Sequence, residues 1–332
     1  MFRTITATLF IASLAACAVD EGADTDELSE SDQDIHGPDA VLATQSHANR
    51  AVAMLRGPDG GRYCTGTFID NNHVVTAAHC DPLVGDRVAF YTVPDQFDSN
   101  RIRTVINVDI RPGVSASTDD YVDTSGRWAD IAIVQLNATA GAPAVIAALD
   151  FTHPTAGELG TKVGAGGDGA PEPNDNPNGN GTLNRIGDTI RAVEMDGSYL
   201  LTTHDYVNHG DSGGPFYTPM NGTGLWVSGI LSIWDSGDGV KRAGYTSVAG
   251  HLNWILDAME YVWVGGATQN AYRTGTLHSL TVGVSLEVCK YTCERTSACA
   301  AFNYAPAVDQ CMIMSTAGSS QPSPTWISDL KP

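Results

Sequence analysis

Three short segments of the chain carry residue types that together could perform nucleophilic catalysis. They are Asn208-His209-Gly210-Asp211-Ser212-Gly213-Gly214-Pro215, Ala77-Ala78-His79-Cys80 and Trp128-Ala129-Asp130-Ile131. A serine hydroxyl is a poor nucleophile unless a base removes its proton, and a histidine oriented by a carboxylate is such a base. The segments therefore predict acyl transfer to Ser212, with His79 as general base and Asp130 as the residue that orients the imidazole.

The residues around the serine and the histidine predict how each is held. Glycines beside Ser212 allow a sharp turn and the close approach of a substrate, so the amides of Gly210 and Ser212 can form one oxyanion hole. Loss of one such donor typically costs roughly 10²–10³ in rate. His79 stands beside Cys80, which can bond back to Cys64 and fix the turn that presents the imidazole.

Short strands are the elements that would position these residues. From residue 51 onward, β-rich segments are separated by clusters of Gly, Asn, Asp and Pro, and no stretch alternates strands with long helices. One helix is predicted late in the chain, where apolar residues recur at helical spacing: Val248, Leu252, Ile255, Leu256 and Met259. The predicted fold class is all-β, a sandwich or barrel.

The three segments resemble the signatures of the chymotrypsin/trypsin family, and they follow that family's order of histidine, aspartate and serine. The resemblance covers residues 35–262. It implies two six-stranded antiparallel β-barrels with the active site between them, a closing C-terminal helix, and an endopeptidase that acts on protein or peptide substrates. We expect no cofactor and no metal site, since the histidines form no pattern such as His-Glu-x-x-His.

By the family's spacing, Tyr206 lies at the base of the primary specificity pocket, where trypsins carry an aspartate. Asp205 is one position away, so an alignment shift of one residue would restore a preference for Arg or Lys. The opposite wall corresponds to Ser232-Ile233-Trp234, and Trp234 would narrow the pocket. His209 either lines the cleft or is an ordinary surface residue. We expect cleavage after a small or medium apolar residue.

The family also implies a mode of activation. Asp211 would pair with a new N-terminal amine that proteolysis liberates, and that pairing shapes the oxyanion hole. The segment Asp34-Ile35-His36-Gly37 is a candidate cleavage site, with Ile35 as the new terminus. It departs from the family's Ile-Val-Gly-Gly at its second position, and Pro38 occupies the fourth.

The N-terminus is predicted to direct export. Residues 1–16 read as a signal peptide, with one basic residue, an apolar stretch and small residues before Cys17. Leu14-Ala15-Ala16-Cys17 resembles a bacterial lipobox, in which Cys17 is lipidated; the alternative is a plain signal peptide that contains a cysteine. Residues 17–34 follow as an acidic linker or propeptide. We expect a secreted or cell-envelope protein, with a lipid anchor if Cys17 is acylated.

The charge of the chain disfavours one class of partner. The formal net charge is -20, and no basic patch interrupts it. Such a surface repels a phosphate backbone, so no nucleic-acid partner is expected.

Residues 263–332 are predicted to form a small separate domain. They are too few to rely on a hydrophobic core alone, and four cysteines would staple them: Cys289, Cys293, Cys299 and Cys311. The segment resembles a PAN/apple module, an α+β fold in which a helix is tied to a small sheet. That resemblance implies the pairs Cys289–Cys311 and Cys293–Cys299, although four cysteines allow three pairings. A zinc site is less favoured because paired C-x-x-C spacing is absent.

Such modules bind proteins or carbohydrates, so the tail would direct the protease to a target. A second interpretation of the whole chain is a catalytically silent, protease-like binding protein of the cell surface. Inactive relatives usually lose a catalytic residue, whereas His79, Asp130 and Ser212 are all present here.

Overall fold

The computed structural model describes residues 41–42, 51–58, 62–93, 96–114, 121–137, 146–166, 184–220, 224–235, 240–265 and 267–332. The predicted signal peptide, Cys17 and Ile35 lie outside these ranges. Within them, no helix is both long enough and apolar enough to cross a membrane.

Strands dominate the described part of the chain up to residue 258. In chain order the elements are β1 (Val41–Leu42), β2 (Val52–Arg56), β3 (Arg62–Phe68), β4 (His73–Thr76), β5 (Arg87–Val93), β6 (Gln96–Ile110), β7 (Ala132–Leu136), β8 (Ala148–Leu149), β9 (Leu159–Gly164), β10 (Asn184–Glu194), β11 (Tyr199–Thr202), β12 (Pro215–Met220), β13 (Gly224–Asp235), β14 (Arg242–Ser247) and α1 (Val248–Ala258).

The first barrel closes through six antiparallel strands in the order β2-β3-β4-β7-β6-β5. Its interior is filled by residues that favour strands, such as the fully buried Val75 and Ile133. Phe68 and Phe90 stack inside it with ring centroids 4.5 Å apart. This packing holds β4 and β7 side by side, and these strands lead into His79 and out of Asp130.

The second barrel is formed by β10, β11, β14, β13, β12 and β9, and it closes where β9 pairs with β10. Phe216 and Tyr245 pack in its core with ring centroids 5.4 Å apart. Helix α1 follows β14 and buries Leu252 and Ile255. The predicted fold of two six-stranded antiparallel barrels and a closing helix is confirmed.

The C-terminal region is a five-stranded antiparallel sheet with one helix. Its elements are β15 (Thr268–Arg273), β16 (Leu277–Val282), α2 (Leu286–Arg295), β17 (Ala301–Ala305), β18 (Gln310–Met314) and β19 (Ser320–Leu330). The strand order is β15-β19-β17-β18-β16. Ser285 begins α2, because its hydroxyl oxygen accepts a hydrogen bond from the Val288 N–H at 3.2 Å. The predicted small α+β domain is therefore present.

Two disulfides tie this helix to the rest of its domain. Cys289 is bonded to Cys311 in β18, and Cys293 is bonded to Cys299 just before β17. These are the pairs that the resemblance implies among the three that four cysteines allow. All four of these cysteines are buried.

The C-terminal domain packs against the second barrel through α1 and α2. Tyr291 of α2 is fully buried at this junction, and its hydroxyl oxygen accepts a hydrogen bond from the Leu149 N–H at 3.1 Å. Its ring meets the Tyr261 ring edge-on, with centroids 5.5 Å apart. A buried polar contact of this kind fixes one arrangement of the two domains.

Candidate active site

The histidine is presented by a short turn at the end of β4. A 3₁₀ turn spans Ala78–Cys80, and the Cys64–Cys80 disulfide ties it to β3. The Thr76 hydroxyl donates to the Thr65 carbonyl at 2.8 Å and joins the same two strands. The backbone that carries His79 is therefore held from both sides, as a general base requires.

Asp130 lies directly beneath this turn and is completely buried. One carboxylate oxygen, Oδ2, lies 2.7 Å from His79 Nδ1, and the other, Oδ1, accepts the His79 backbone N–H at 2.8 Å. A carboxylate at Nδ1 favours the tautomer in which that nitrogen carries the hydrogen, which leaves Nε2 free to accept a proton.

Ser232 provides a third contact to this carboxylate. Its hydroxyl donates to Asp130 Oδ2 at 2.5 Å and accepts a hydrogen bond from Trp128 Nε1 at 3.2 Å. The sequence prediction placed Ser232 on the wall of the specificity pocket, but its side chain is buried and directed at Asp130. The place of its segment in the pocket wall stays a prediction, and the contact with Asp130 is a further role that the structure adds. No local pattern reveals this role, because the two residues are 102 positions apart.

The predicted nucleophile lies on a tight turn between Gly210, with φ of 90°, and Gly213, with φ of 80°. Only glycine fits at Gly213, where a Cβ would lie 2.1 Å from Thr76 Oγ1. The Ser212 carbonyl accepts the Thr65 N–H at 2.8 Å, so this turn lies against β3 beside the Cys64–Cys80 disulfide. The fold thus brings the segments of Ser212 and His79 together from different barrels.

The hydrogen bonds around Ser212 leave its reactive groups unengaged. Among the described residues, the Ser212 hydroxyl makes no hydrogen bond, and the N–H groups of Gly210 and Ser212 donate to no protein acceptor. The Gly210 carbonyl is instead held by the Thr65 hydroxyl at 2.7 Å. Two free amides on one turn are what an oxyanion hole needs.

Asp211, between these residues, is directed into the protein. Its carboxylate accepts the N–H groups of Gly166 at 2.9 Å and Asn208 at 2.8 Å, and the residue is fully buried. A Cβ at Gly164 would lie 2.0 Å from Asp211 Oδ1, so glycine is needed for this close approach. The predicted partner of Asp211, the amine of Ile35, lies outside the described residues.

Comparison with known proteins agrees with this architecture. The family model named Trypsin matches residues 42–255. The chain belongs to the trypsin family. A second model, PAN domain, matches residues 267–329. The solved structure of neuropsin, a serine protease expressed in the limbic system of mouse brain, has a TM-score of 0.51 and 20% identity, over 66% of this chain and 98% of that one. At this identity the likeness shows the fold alone. A search of curated proteins finds no match.

The trypsin-family pocket residues are only partly described. Ile233 is half-buried in β13 and pairs with Gly244, while His209 is exposed on the turn before Ser212. The backbone of Trp234 pairs with Ala243, but its side chain is outside the described part of the structure. The predicted preference for small or medium apolar residues stays a prediction.

Tyr206, the predicted pocket base of this trypsin-family domain, has an unusual setting. Its φ of 35° is in the left-handed region, and its ring stacks on His204 with centroids 4.5 Å apart. The ammonium group of Lys162 lies 5.7 Å from the centroid of the Tyr206 ring. It donates to the carbonyls of His204 at 2.7 Å and Asp205 at 3.1 Å. Lys162 therefore holds the segment that contains Tyr206.

Sequence reasoning missed this buried lysine and its partner. Lys162 Nζ lies 2.6 Å from Asp188 Oδ2, and both side chains are almost entirely buried. Burial lowers the pKa of Lys162 to about 8, although Asp188 acts in the opposite direction. Burial opposes ionisation of Asp188 as well, but the Lys162 ammonium, together with hydrogen bonds from the Thr189 N–H and His204, holds the pKa of Asp188 below its usual value.

One group of side chains in the described part of this trypsin-family chain has the spacing of metal ligands. Cys64, His79 and Cys80 place their ligand atoms within 4.8 Å of one another. The two sulfurs are joined in a disulfide and offer no thiolate, so this group does not have the donor set of a metal site.

Proposed function

We propose that the protein is a secreted serine endopeptidase that hydrolyses peptide bonds through an acyl-enzyme formed on Ser212. The observation that carries this proposal is the buried Asp130 carboxylate, which is bound to His79 at Nδ1 and at the backbone N–H. The turn that presents His79 also contacts the Ser212 backbone. Membership in the trypsin family supports a protease acting on proteins.

In the proposed reaction, Ser212 Oγ attacks the carbonyl carbon of the scissile bond while its proton passes to His79 Nε2. The negative oxygen that forms receives hydrogen bonds from the N–H groups of Gly210 and Ser212. Asp130 stabilises the imidazolium through Nδ1. Collapse of the intermediate breaks the C–N bond, and the departing amine takes the proton from Nε2. Water then attacks the acyl-enzyme by the same route and releases Ser212.

Labelling with a fluorophosphonate probe tests the proposal. Wild-type protein should label at one serine, and Ser212→Ala should abolish labelling. Ser315→Ala is a matched control, since the Ser315 side chain lies in the C-terminal domain and bonds to Thr276. Folded, matured wild-type protein that does not label would overturn the proposal and favour the catalytically silent binding protein.

Substrate preference is proposed from Tyr206 and Trp234. Neither residue supplies the negative charge that would attract Arg or Lys, so we expect cleavage after small or medium apolar residues. Digestion of a peptide library, followed by mass spectrometry of the products, measures this preference. Cleavage mainly after Arg and Lys would assign the pocket base to Asp205.

Export and maturation complete the proposal. Residues 1–16 would direct secretion, Cys17 would carry a lipid that anchors the enzyme to the cell envelope, and cleavage before Ile35 would supply an amine for Asp211 and release the enzyme. The acidic stretch of residues 17–34 suits an exposed tether. N-terminal sequencing and intact mass of the active protein distinguish a start at Ile35 from a lipidated start at Cys17. A start at any other residue would contradict both assignments.

The PAN domain would add binding to this activity. We infer that it holds a protein or carbohydrate ligand and brings the protease to its target. Its docking through Tyr291 supports concerted action, because a bound ligand would be held at a constant distance from the cleft of the protease domain.

A further inference from the structure

A cleft of about 300 Å³ lies where the PAN domain meets the protease domain. Arg127, Phe151 and Leu252 contribute to its protease side, and residues 280–284 line its PAN side. We call it the interdomain cleft. It is separate from the Ser212 turn, none of whose residues lines it.

The PAN side of the interdomain cleft is formed by the edge of a strand. The last three residues of β16, Leu280, Thr281 and Val282, all line the cleft. Side chains of consecutive strand residues point to opposite faces, so three in a row line one cavity when the backbone edge of the strand faces it. Strand β16 pairs with β18 on one side and is the last strand of its sheet in the described structure. Its other edge therefore offers backbone N–H and C=O groups to the cleft.

This edge lacks the usual protection against pairing. Proteins commonly blunt an edge strand with charged residues, proline or a covering element. Strand β16 has the sequence Leu277-His278-Ser279-Leu280-Thr281-Val282, without an acidic residue, a lysine, an arginine or a proline. Leu277, Leu280 and Val282 are 47%, 51% and 65% exposed. The opposite edge strand, β15, is more polar and ends in Arg273. The edge of β16 is thus suited to accept another strand.

A cation on the protease side indicates what that strand would carry. The Arg127 guanidinium donates to the Gly250 carbonyl at 3.2 Å, and within the described residues it forms no ion pair. The nearby Asp123 is already paired with Arg111 at 3.2 Å. An arginine that no carboxylate of the described residues pairs with is notable in a chain with a net charge of -20. A carboxylate is its natural partner, since guanidinium and carboxylate form charge-assisted hydrogen bonds.

We propose that the interdomain cleft binds an extended peptide segment of a partner protein, which adds to β16 as a further strand and places an acidic side chain on Arg127. Strand addition supplies affinity through main-chain hydrogen bonds, and the pocket supplies specificity. The inference rests on the part of the proposed function that gives the PAN domain a protein ligand, and it is independent of catalysis by Ser212.

Binding of a designed peptide tests the proposal in the full-length Ser212→Ala protein, which cannot cleave the probe. The probe is fluorescein-labelled Thr-Val-Asp-Val-Thr, and fluorescence anisotropy measures its binding. One control peptide carries Asn in place of Asp, and a second is N-methylated at alternate residues so that it cannot pair with a strand edge. We expect saturable binding of the probe, at least about tenfold weaker binding of the Asn peptide, and no binding of the methylated one.

Protein variants assign the binding to the cleft. Arg127→Gln should weaken the binding of the probe at least about tenfold, to the affinity that the parent has for the Asn peptide. Arg191→Gln, at an exposed arginine of β10, is the matched control and should bind like the parent. Equal thermal unfolding temperatures show that the variants fold. Absence of saturable binding in the parent, or binding that is indifferent both to Arg127→Gln and to N-methylation, would overturn the proposal.

A second copy of the chain is the competing occupant of the same edge. Val282→Lys places a charge on the edge of β16, while Val308→Lys places one on an equally exposed residue of the turn between β17 and β18. Sedimentation should show a monomer for the parent and for both variants. A parent dimer that dissociates only in Val282→Lys would replace the peptide by a second copy of this chain.

Discussion

His251 predicts an acid sensitivity whose size can be worked from the structure. It lies in α1, is only 2% exposed, and its Nε2 lies 2.7 Å from the Trp128 carbonyl. That contact requires Nε2 to carry the hydrogen, while the buried Nδ1 has no hydrogen-bond partner among the described residues. Protonation would place a second N–H where nothing accepts it. Burial accordingly lowers the pKa of His251 to about 4, and the charges of Arg111 and Arg127 act in the same direction.

The sign and size of the effect follow from linkage. An unfolded chain binds a proton at this histidine near pH 6.5, whereas the folded protein resists it until about pH 4. The contribution to stability is therefore fully present above pH 6.5 and is lost as the pH falls through the interval toward 4. The difference between the two pKa values corresponds to roughly 3 kcal/mol of folding stability, of which roughly 2.5 kcal/mol is lost by about pH 4.5.

Urea unfolding measures this loss at about pH 7.5 and about pH 4.5 for two proteins. The parent is the Ser212→Ala protein, and the variant adds His251→Gln to it. Glutamine can still donate to the Trp128 carbonyl but does not titrate, so the other titrating groups cancel in the difference. The parent should lose roughly 2.5 kcal/mol more than the variant on acidification. His278→Gln, at an exposed histidine, is the control and should behave like the parent. Equal acid losses in the parent and in His251→Gln would refute the reasoning.

Three further substitutions test buried contacts. Lys162→Met leaves the Asp188 carboxylate buried without its cation, so the free energy of unfolding in urea should fall by about 3–5 kcal/mol. The double variant that adds Asp188→Asn should recover part of this stability. No recovery would contradict a charge-pair effect. Tyr291→Phe leaves the Leu149 N–H without its acceptor, so thermal unfolding should show a loss of about 1–3 kcal/mol. Ser232→Ala removes a donor to Asp130, and steady-state kinetics should show kcat roughly tenfold lower at unchanged KM; an unchanged kcat would count against the role assigned to Ser232.

Local patterns in the sequence predicted much of this protein. Alternating short apolar segments and turn residues predicted strands, and the spacing from Val248 to Met259 predicted a helix, which the structure forms from Val248 to Ala258. The glycines beside Ser212 predicted a sharp turn, and Gly210 and Gly213 have the positive φ that it needs. Such features are readable because strand period, helix period and glycine turns depend on residues close together in the chain.

Contacts between distant residues were beyond the reach of these patterns. The family spacing placed the segment of Ser232 on the pocket wall, but a spacing does not say which way a side chain points, so the hydrogen bond from Ser232 to Asp130 was not predicted. Lys162 and Asp188 looked like ordinary strand residues, yet their pairing depends on the closure of the second barrel between β9 and β10. The apolar edge of β16 and Arg127 of the protease domain line one cleft only because the two domains pack together.

By itself, the sequence determined the fold class, the family resemblance and the residues nominated for catalysis, since each depends on residue type, order or short spacing. The cysteine pairs of the C-terminal domain followed only from the resemblance, because four cysteines allow three pairings. Tertiary structure alone decided that the Asp130 carboxylate receives three hydrogen bonds, that a buried ion pair holds the segment of Tyr206, and that Tyr291 joins the two domains. The physical reason is that burial and hydrogen-bond geometry arise from packing between distant residues, such as Leu149 and Tyr291, which are 142 positions apart.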